Sequence, residues 1–303
     1  MKIIVTGGMG FVGRWLVAEM AGEHELTLLT RQAAPARLEW LGRQAVCRQT
    51  DYATPDLCKA LAGADALVHL AAIRPHPGIP AAAFETNRTL SAAVLEACYQ
   101  VGISNLVLLS SRAVYGKARP WPWTEEMIPQ PEGAYGQSKL DMEQLAVEYE
   151  ARGGMKIKSL RMSQLAGLGE RTAYALMTFV QAANAGKVLQ VYSTGADGRE
   201  YLYVRDAAAA IRLALQHPQE SGIFNIGSGA PISILELARL VNRVFENEGK
   251  LVAGEQALEM GEIRWMNNQK ARQVLQWQPA WSLEAALQEM RSLLRLPPGA
   301  APA

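Results

Sequence analysis

Apolar and polar positions follow two alternating patterns over the first half of the chain. Continuous apolar runs, which predict strands, lie at residues 2–6, 25–30, 66–70, 105–110 and 155–161. Stretches with helical periodicity lie between them, chiefly at residues 11–21, 81–101 and 135–152. Continuous apolar strands are typical of a sheet buried on both faces, and strands that alternate with helices indicate parallel pairing. The pattern therefore predicts an α/β fold with a doubly wound parallel sheet.

The pattern becomes less regular in the second half. Helical stretches near residues 173–185, 207–216 and 234–248 are separated by loops that contain Gly, Ser and Asp. We interpret residues 1–165 as one domain and residues 166–204 and 228–296 as a smaller C-terminal lobe. Residues 205–227 are expected to return to the first domain, because residues 224–226 have the composition of a strand. The Pro- and Ala-rich tail, residues 297–303, is expected to be disordered.

Composition narrows the class of protein. The chain has 303 residues, of which 49% are apolar and 19% charged, as in a globular protein of one or two domains. A net charge of +1 and the lack of an apolar stretch of about 18–20 residues predict neither nucleic acid nor a membrane as partner. The three cysteines are too widely spaced for a disulfide framework or a metal site. With an N-terminus that has no signal-peptide pattern, they predict a cytoplasmic protein without a metal.

A glycine cluster joins the first predicted strand to the first predicted helix. Gly7, Gly10 and Gly13 form a G-x-x-G-x-x-G pattern, which permits a tight turn and brings backbone N–H groups close to an anion. The helix that begins at Phe11 and Val12 adds free N–H groups and the positive end of its dipole. A plain turn is the alternative, but the position favours the pyrophosphate of a dinucleotide. The first domain is thus predicted to bind a dinucleotide, and the smaller lobe to bind substrate.

The end of the second predicted strand bears on the choice of cofactor. An NAD-selective site places Asp or Glu there to accept from the ribose 2′-hydroxyl, whereas this chain has Thr30 and Arg31. Both suit a 2′-phosphate, so the sequence predicts NADP(H) over NAD(H), unless Arg31 is an ordinary surface charge. Asp51 and Tyr52, which lie between the predicted strands at residues 25–30 and 66–70, are further candidate cofactor contacts. Asp51 either bonds the adenine amino group or is an ordinary loop residue.

Tyr135 and Lys139 lie four residues apart on a predicted helix, which places both side chains on one face. A phenol with a pKa of about 10 is a poor base at neutral pH, and a neighbouring ammonium lowers that pKa. Ser111 follows a predicted strand at the end where parallel sheets bind ligands, and its hydroxyl suits the reacting oxygen of a substrate. These residues predict redox chemistry at a hydroxyl carbon, with Tyr135 as acid/base.

Seven segments of the chain, in this order, carry a family resemblance. They lie at residues 6–13, 69–72, 110–116, 135–139, 199–206, 222–227 and 275–279. Through them the chain resembles an extended short-chain dehydrogenase/reductase of the NAD-dependent epimerase/dehydratase family. The resemblance covers nearly the whole chain and implies a Rossmann-type fold and an NAD(P)-dependent enzyme. It also implies a homodimer, because the two long helices, 81–101 and 135–152, resemble the family's four-helix dimer interface.

The resemblance assigns roles by position. Ser111 matches the residue that polarises the substrate oxygen, and Tyr135 matches the acid/base. Lys139 matches the residue that lowers the pKa of that tyrosine and holds the nicotinamide ribose. Leu70, Ala71 and Ala72, at the end of the predicted strand at residues 66–70, match the segment that passes beside the cofactor. Asn87 matches a family asparagine in the helix that follows. His69, which precedes them among apolar residues, is interpreted as a core histidine rather than a ligand.

For the substrate, the resemblance implies a nucleotide sugar. Arg199 matches an arginine that binds its pyrophosphate, although Arg199 could instead pair with an acidic neighbour, and Leu189 and Tyr192 match residues that bracket its base. Gln164 replaces a family asparagine that contacts the diphosphate. The arginine usual before a Pro-Gly-Asp-like turn is also absent, and Arg264 is the nearest substitute. These two departures leave open a smaller or differently linked substrate.

Three hypotheses remain for the function. The family's dehydratases have an Asp-Glu pair directly after the catalytic hydroxyl residue, and Arg112 and Ala113 stand there in this chain, which disfavours water elimination. Residues 110–116 favour an epimerase that passes through a 4-keto sugar, with a UDP-hexose as substrate. The residues after the second strand favour an NADPH-dependent 4-keto-sugar reductase. A non-catalytic dinucleotide-binding module is the third hypothesis, and the intact catalytic residues argue against it.

Overall fold

Parallel strands form the centre of the protein in a computed structural model, which describes residues 1–116, 120–170, 174–192, 195–254 and 261–295. The strands are β1 (Lys2–Thr6), β2 (Glu25–Thr30), β3 (Arg37–Trp40), β4 (Arg43–Gln49), β5 (Ala66–His69), β6 (Asn105–Ser111), β7 (Lys156–Met162), β8 (Gln164–Ala166), β9 (Leu189–Val191), β10 (Gly198–Tyr203), β11 (Gly222–Ile226), β12 (Pro231–Ser233), β13 (Leu251–Ala253) and β14 (Ile263–Arg264). The helices are α1 (Phe11–Met20), α2 (Thr54–Leu61), α3 (Glu85–Val101), α4 (Ala134–Ala151), α5 (Ala175–Asn184), α6 (Val204–Gln216), α7 (Ile234–Val244), α8 (Gln269–Val274) and α9 (Leu283–Leu294).

Within the described ranges, eight strands form one sheet in the order β11-β7-β6-β5-β1-β2-β4-β3. All neighbours pair in parallel except β3 and β4, which are antiparallel. The predicted Rossmann-type doubly wound sheet is confirmed, and the strand predicted at residues 224–226 is present as β11 beside β7. β3 was not predicted, because a four-residue edge strand is too short to give a periodic signal.

Alternate residues of the central strands enter different cores, which explains their continuous apolar sequence. In β1, Ile3 and Val5 belong to one core together with Trp15 of α1 and Ile211 of α6. Ile4, between them, belongs to a second core that also contains residues of α2, α3 and α4. Helices therefore cover both faces of the sheet, as strands with this composition require.

Some element boundaries differ from the predicted ones. The predicted helix at residues 81–101 is a short 3-10 turn, Ala81–Phe84, followed by α3, and α6 begins at Val204 rather than at residue 207. For the helix predicted from residue 173, that residue lies outside the described ones, and α5 begins at Ala175 with Tyr174 as its N-cap. The predicted tail, residues 297–303, also lies outside the described residues.

A second, smaller sheet lies in the C-terminal half. Its central strand β10 pairs with β8, β12 and β14, and a separate pair joins β9 to β13. None of these strands was predicted. All except the six-residue β10 have two or three residues, which leave no pattern in the sequence. They place residues from four distant segments side by side, including Gln164, Arg199 and Arg264. Among the described helices, none combines the length and the apolar character needed to cross a membrane.

Candidate active site

The loop between β1 and α1 packs backbone against backbone. Gly7 has a φ of +67°, and a Cβ there would lie 2.7 Å from the backbone of Ala71. A Cβ on Gly13 would lie 2.2 Å from the carbonyl oxygen of Gly8. Only glycine fits these two positions, because both contacts are far shorter than van der Waals distance. The loop is therefore held close to the neighbouring segment that contains Ala71.

The N-terminus of α1 fits the pyrophosphate of a dinucleotide. Gly10 stands at the N-cap without a side-chain hydrogen bond, and its N–H donates to the Gly7 carbonyl at 3.0 Å. The first-turn N–H groups, those of Phe11, Val12 and Gly13, have no intrahelical acceptor and add to the positive end of the helix dipole. Free N–H groups, the positive end of a helix dipole and glycines that let the backbone come close to the phosphates are the features that bind such an anion.

Tyr52 holds the glycine loop in place. Its buried hydroxyl donates to the Leu29 carbonyl at 2.9 Å and accepts the Gly7 N–H at 3.2 Å. The Arg31 guanidinium carbon lies 5.4 Å from the centre of the Tyr52 ring, at the distance of a cation–π contact. The sequence suggested Tyr52 as a direct cofactor contact. The structure instead gives its hydroxyl a supporting role under the loop, because both hydrogen bonds go to main-chain groups.

The candidate ribose and adenine contacts lie at one edge of the sheet. β2 and β4 are parallel neighbours, so Thr30 at the end of β2 lies near Asp51, which follows β4. The Thr30 hydroxyl accepts the Gln32 N–H at 3.3 Å. Asp51 is exposed, and one of its carboxylate oxygens accepts the Ala53 N–H at 2.7 Å. The tertiary structure therefore brings Thr30, Arg31 and Asp51 to the same region as the glycine loop.

The segment after β5 is tied both to β1 and to α4. The Leu70 N–H donates to the Thr6 carbonyl at 3.1 Å, and the Ala71 N–H points to the Thr6 hydroxyl at 3.4 Å. Asn87 of α3 accepts the Ile73 N–H at 2.7 Å and donates to the Ile73 carbonyl at 3.0 Å. Its amide also donates to the Ser138 hydroxyl of α4 at 3.1 Å. Asn87 thus positions the segment at residues 70–73 against the helix that carries Tyr135.

His69 is a buried core residue, as its sequence surroundings predicted. One ring nitrogen lies 2.7 Å from the Thr6 hydroxyl and the other 3.1 Å from the Ser91 hydroxyl. Burial, assisted by the Lys139 ammonium, lowers the pKa of His69 to about 3. The ring is therefore neutral over the physiological pH range and both its nitrogens have protein partners.

Ser111, Tyr135 and Lys139 meet where β6 ends against α4. The Lys139 ammonium donates to the Leu109 carbonyl of β6 at 2.6 Å, and the Tyr135 phenol is hydrogen-bonded with Ser111. Phe84 packs edge-on against the Tyr135 ring, with 5.9 Å between ring centres. Ser111, which would contact the same substrate oxygen, thus helps to position Tyr135, the candidate acid/base.

The charges around Tyr135 differ from those predicted. Burial raises the pKa of Tyr135, while Arg74 and the hydrogen bond with Ser111 oppose the rise. Lys139 was expected to supply the opposing charge, but its ammonium is directed at the Leu109 carbonyl, and burial lowers its own pKa to about 8. Arg74, which the sequence analysis did not identify, is paired with the buried carboxylate of Glu170 at 3.0 Å. Arg74 carries no motif, so only the fold reveals its proximity to Tyr135.

This ion pair predicts two pH shifts of opposite sign. Arg74→Gln removes a positive charge that lowers the pKa of Tyr135, so the acid limb of the kcat/KM profile is expected to move to higher pH. Glu170→Gln removes a negative charge that raises this pKa, so the same limb is expected to move to lower pH. The measurement is the pH–rate profile of both variants, with Arg212→Gln as control because Arg212 pairs with Glu19 away from this site. Shifts in the same direction would contradict this electrostatic account.

Three arginines lie together on the other flank of Ser111. Arg199 of β10 and Arg264 of β14 are register partners in parallel strands, so their side chains leave the same side of the small sheet. Arg112 directly follows Ser111, and burial together with the charges of Arg199 and Arg264 lowers the pKa of its guanidinium to about 10. Over the described part of the chain, Arg199 forms no ion pair, so the acidic neighbour considered as an alternative is not seen. The arrangement suits an anionic ligand.

The other predicted substrate contacts are less well placed. Gln164 begins β8 and pairs with Tyr201 of β10, close to the arginines in the small sheet. Leu189 was expected to bracket the base, but its side chain is completely buried in the hydrophobic core, because β9 turns its first and third residues inward. Tyr192, just after β9, is 94% exposed. Leu189 is therefore corrected from a substrate contact to a core residue.

A buried polar network that the sequence analysis missed supports the site from behind. Glu143, one turn after Lys139 on α4, binds the Arg161 guanidinium through two hydrogen bonds of 2.7 and 3.0 Å and accepts the Ser110 hydroxyl at 2.5 Å. The Arg161 guanidinium lies 4.7 Å from the Tyr115 ring centre. The network links β6, β7 and α4, so the relative positions of Ser111 and Lys139 depend on it.

Comparisons with known proteins agree with this geometry. A model of the NAD dependent epimerase/dehydratase family matches residues 3–227. A UDP-glucose 4-epimerase of Lacticaseibacillus casei is 30% identical over 92% of this chain and 92% of its own. The crystal structure of a UDP-N-acetylglucosamine 4-epimerase from Bacillus cereus is 32% identical, with a TM-score of 0.88 over 97% of this chain and 96% of that one. A UDP-glucose 4-epimerase of Thermotoga maritima, solved with UDP-glucose, is 25% identical, with a TM-score of 0.84 over 97% and 99%.

Proposed function

We propose that this chain, which belongs to the NAD-dependent epimerase/dehydratase family, is an NAD(P)-dependent nucleotide-sugar epimerase that acts at C4 of a UDP-hexose. The observation that carries the proposal is the meeting of Ser111, Tyr135 and Lys139 at the end of β6, beside the arginines Arg112 and Arg199. The similar proteins described above are 4-epimerases of UDP-sugars, which supports both the reaction and the substrate class.

Each residue of the proposed site has a separate task. Tyr135 removes the proton of the C4 hydroxyl, while the Ser111 hydroxyl holds the same oxygen. A dinucleotide whose pyrophosphate is held at the N-terminus of α1 would supply, through its nicotinamide ring, the oxidation and the later reduction at C4. After the 4-keto sugar presents its other face, Tyr135 returns the proton to the oxygen. The Lys139 ammonium, one helical turn after Tyr135, would donate a hydrogen bond to the nicotinamide ribose, while Arg74 supplies the positive charge that acts on Tyr135.

The position after Ser111 supports epimerisation rather than dehydration. Water elimination requires an acid that can protonate the departing hydroxyl group. Arg112 cannot serve, because a guanidinium remains protonated at any physiological pH, and Ala113 has no titratable group. The Glu200 carboxylate near Arg112 already accepts the N–H groups of Gly229 and Met266.

One experiment tests the reaction directly. The purified protein is analysed for a cofactor that co-elutes with it and is then incubated with UDP-glucose, UDP-N-acetylglucosamine and UDP-glucuronate. The proposal expects interconversion of one of these with its C4 epimer and no net oxidation or reduction of the cofactor. Stoichiometric consumption of NADPH with a 4-keto sugar would instead establish the second candidate, a 4-keto-sugar reductase, which Thr30 and Arg31 favour.

We also propose a preference for NADP(H), supported by Thr30 and Arg31 after β2 and by the lack of a carboxylate at the end of that strand. Arg31→Ala is expected to weaken NADP binding by about tenfold and to leave NAD binding unchanged, because only the 2′-phosphate carries the extra charge. Titrations of both cofactors measure this difference, with Arg37→Ala on β3 as an exposed-arginine control. Wild-type protein that binds NAD as tightly as NADP, with no loss in Arg31→Ala, would contradict the preference.

A homodimer and a cytoplasmic location complete the proposal. α3 and α4 expose apolar side chains that a dimer interface would cover, namely Tyr99, Val101 and Val147. Sedimentation at two protein concentrations tests the dimer. The cytoplasmic location is supported by the cysteines Cys47, Cys58 and Cys98, which are all free thiols.

A further inference from the structure

The proposed mechanism leaves Arg112 without a task, although its backbone is part of the catalytic turn. It stands between Ser111 and Ala113 in the short 3-10 turn that follows β6. The Ser111 hydroxyl accepts the Ala113 N–H at 3.2 Å. This hydrogen bond closes a small turn around Arg112, and its acceptor is the candidate catalytic hydroxyl. The backbone of Arg112 is therefore fixed relative to the Ser111 hydroxyl.

The charges around Arg112 do not balance. The positive charges of Arg199 and Arg264 repel the Arg112 guanidinium. The Arg264 guanidinium forms an ion pair with the Glu262 carboxylate at 2.7 Å. Arg112 and Arg199 form no ion pair with any carboxylate in the described part of the chain. Glu200 is the acidic group that acts on Arg112, but both of its oxygens accept backbone N–H groups. Neither guanidinium thus has a carboxylate in direct contact, and Glu200 balances only part of the positive charge of three neighbouring arginines, an arrangement that favours an anionic ligand.

We propose that Arg112 binds an anionic oxygen group of the substrate directly beside Ser111, an inference that rests on the proposed nucleotide-sugar function. The guanidinium offers a planar pair of donors that matches two oxygens of a phosphate or a carboxylate. The phosphate nearest the sugar and a carboxylate on the sugar itself share this chemistry. Arg112 thereby offsets the two weakened diphosphate contacts noted in the sequence.

Binding measurements with matched ligands test this assignment without requiring turnover. Wild-type protein, Arg112→Ala and Arg112→Lys are titrated with uridine, UDP, UDP-glucose and UDP-glucuronate, and Arg212→Ala serves as an arginine control distant from the site. Arg112→Ala is expected to bind the anionic ligands about 10- to 100-fold more weakly and to bind uridine unchanged. Arg112→Lys is expected to recover part of the loss, since it restores the charge but not the fork. It also keeps the test open if Arg112→Ala does not fold.

The ligands identify the source of the anion. An equal loss for UDP, UDP-glucose and UDP-glucuronate assigns Arg112 to the diphosphate, and a loss confined to UDP-glucuronate assigns it to a sugar carboxylate. Unchanged affinity of both Arg112 variants for all four ligands would overturn the inference while leaving the epimerase proposal intact. If wild-type protein binds none of the UDP compounds, the proposed function itself fails, and the inference fails with it.

Discussion

Replacing Tyr135 with phenylalanine is expected to lower the rate of C4 epimerisation by about 10²–10⁴-fold, the usual contribution of a positioned acid/base. The substitution removes only the hydroxyl that takes and returns the substrate proton. The edge-on contact between the ring and Phe84 remains, so folding and cofactor binding are expected to be unchanged. The measurement is the turnover rate at saturating substrate, together with the amount of cofactor that co-elutes with the variant.

A matched substitution separates loss of chemistry from a general effect of removing a phenol. Tyr99→Phe alters an exposed residue of α3 and is expected to retain full activity. Tyr135→Phe activity within tenfold of wild type would contradict the assignment of Tyr135 as acid/base. An unchanged biological output from a catalytically dead Tyr135→Phe would instead favour the dinucleotide-binding module.

Replacing Glu143 with alanine is expected to lower the free energy of unfolding by about 3–5 kcal/mol, because it leaves a buried guanidinium without its counter-ion. The side chains of Glu143 and Arg161 are 3% and 1% exposed, so water cannot replace the lost contacts. The Ser110 hydroxyl loses its acceptor in the same variant. Chemical denaturation followed by tryptophan fluorescence measures the change.

Two controls define this stability effect. Glu19→Ala breaks a partly exposed ion pair with Arg212 and is expected to cost less than about 1 kcal/mol. The double variant Glu143→Met with Arg161→Met removes both charges and is expected to recover much of the loss, since no buried charge then remains unpaired. A cost for Glu143→Ala no larger than that for Glu19→Ala would contradict the importance of the buried pair.

Site residues that lie close together in the chain can be found from the sequence, whereas site residues that are distant in the chain cannot. Tyr135 and Lys139 are separated by one helical turn, and Gly7, Gly10 and Gly13 lie in one loop, so local spacing marks them as candidates. Arg74 and Glu170 are far apart in the chain and become partners only because the segment after β5 meets the segment after β8. Such pairs have no fixed spacing, and no periodic pattern can reveal them.

Leu189 illustrates the opposite error. The family resemblance placed it near the base of the substrate, yet the short strand β9 directs its side chain into the core. A three-residue strand has too few positions for its apolar alternation to be recognised. The edge strand β3 and the two- and three-residue strands that pair with β10 escaped prediction for the same reason.

The sequence by itself determined the doubly wound sheet and singled out the glycine loop and three candidate catalytic residues. Each of these depends on patterns of a few neighbouring residues, in which strand and helix periodicity or glycine chemistry is explicit. Only the tertiary structure decided which charges act on the site, namely Arg74 on Tyr135 and the meeting of Arg112 with Arg199 and Arg264. Electrostatic interactions depend on distance and burial in space, and residues distant in the chain acquire both only when the strands pair.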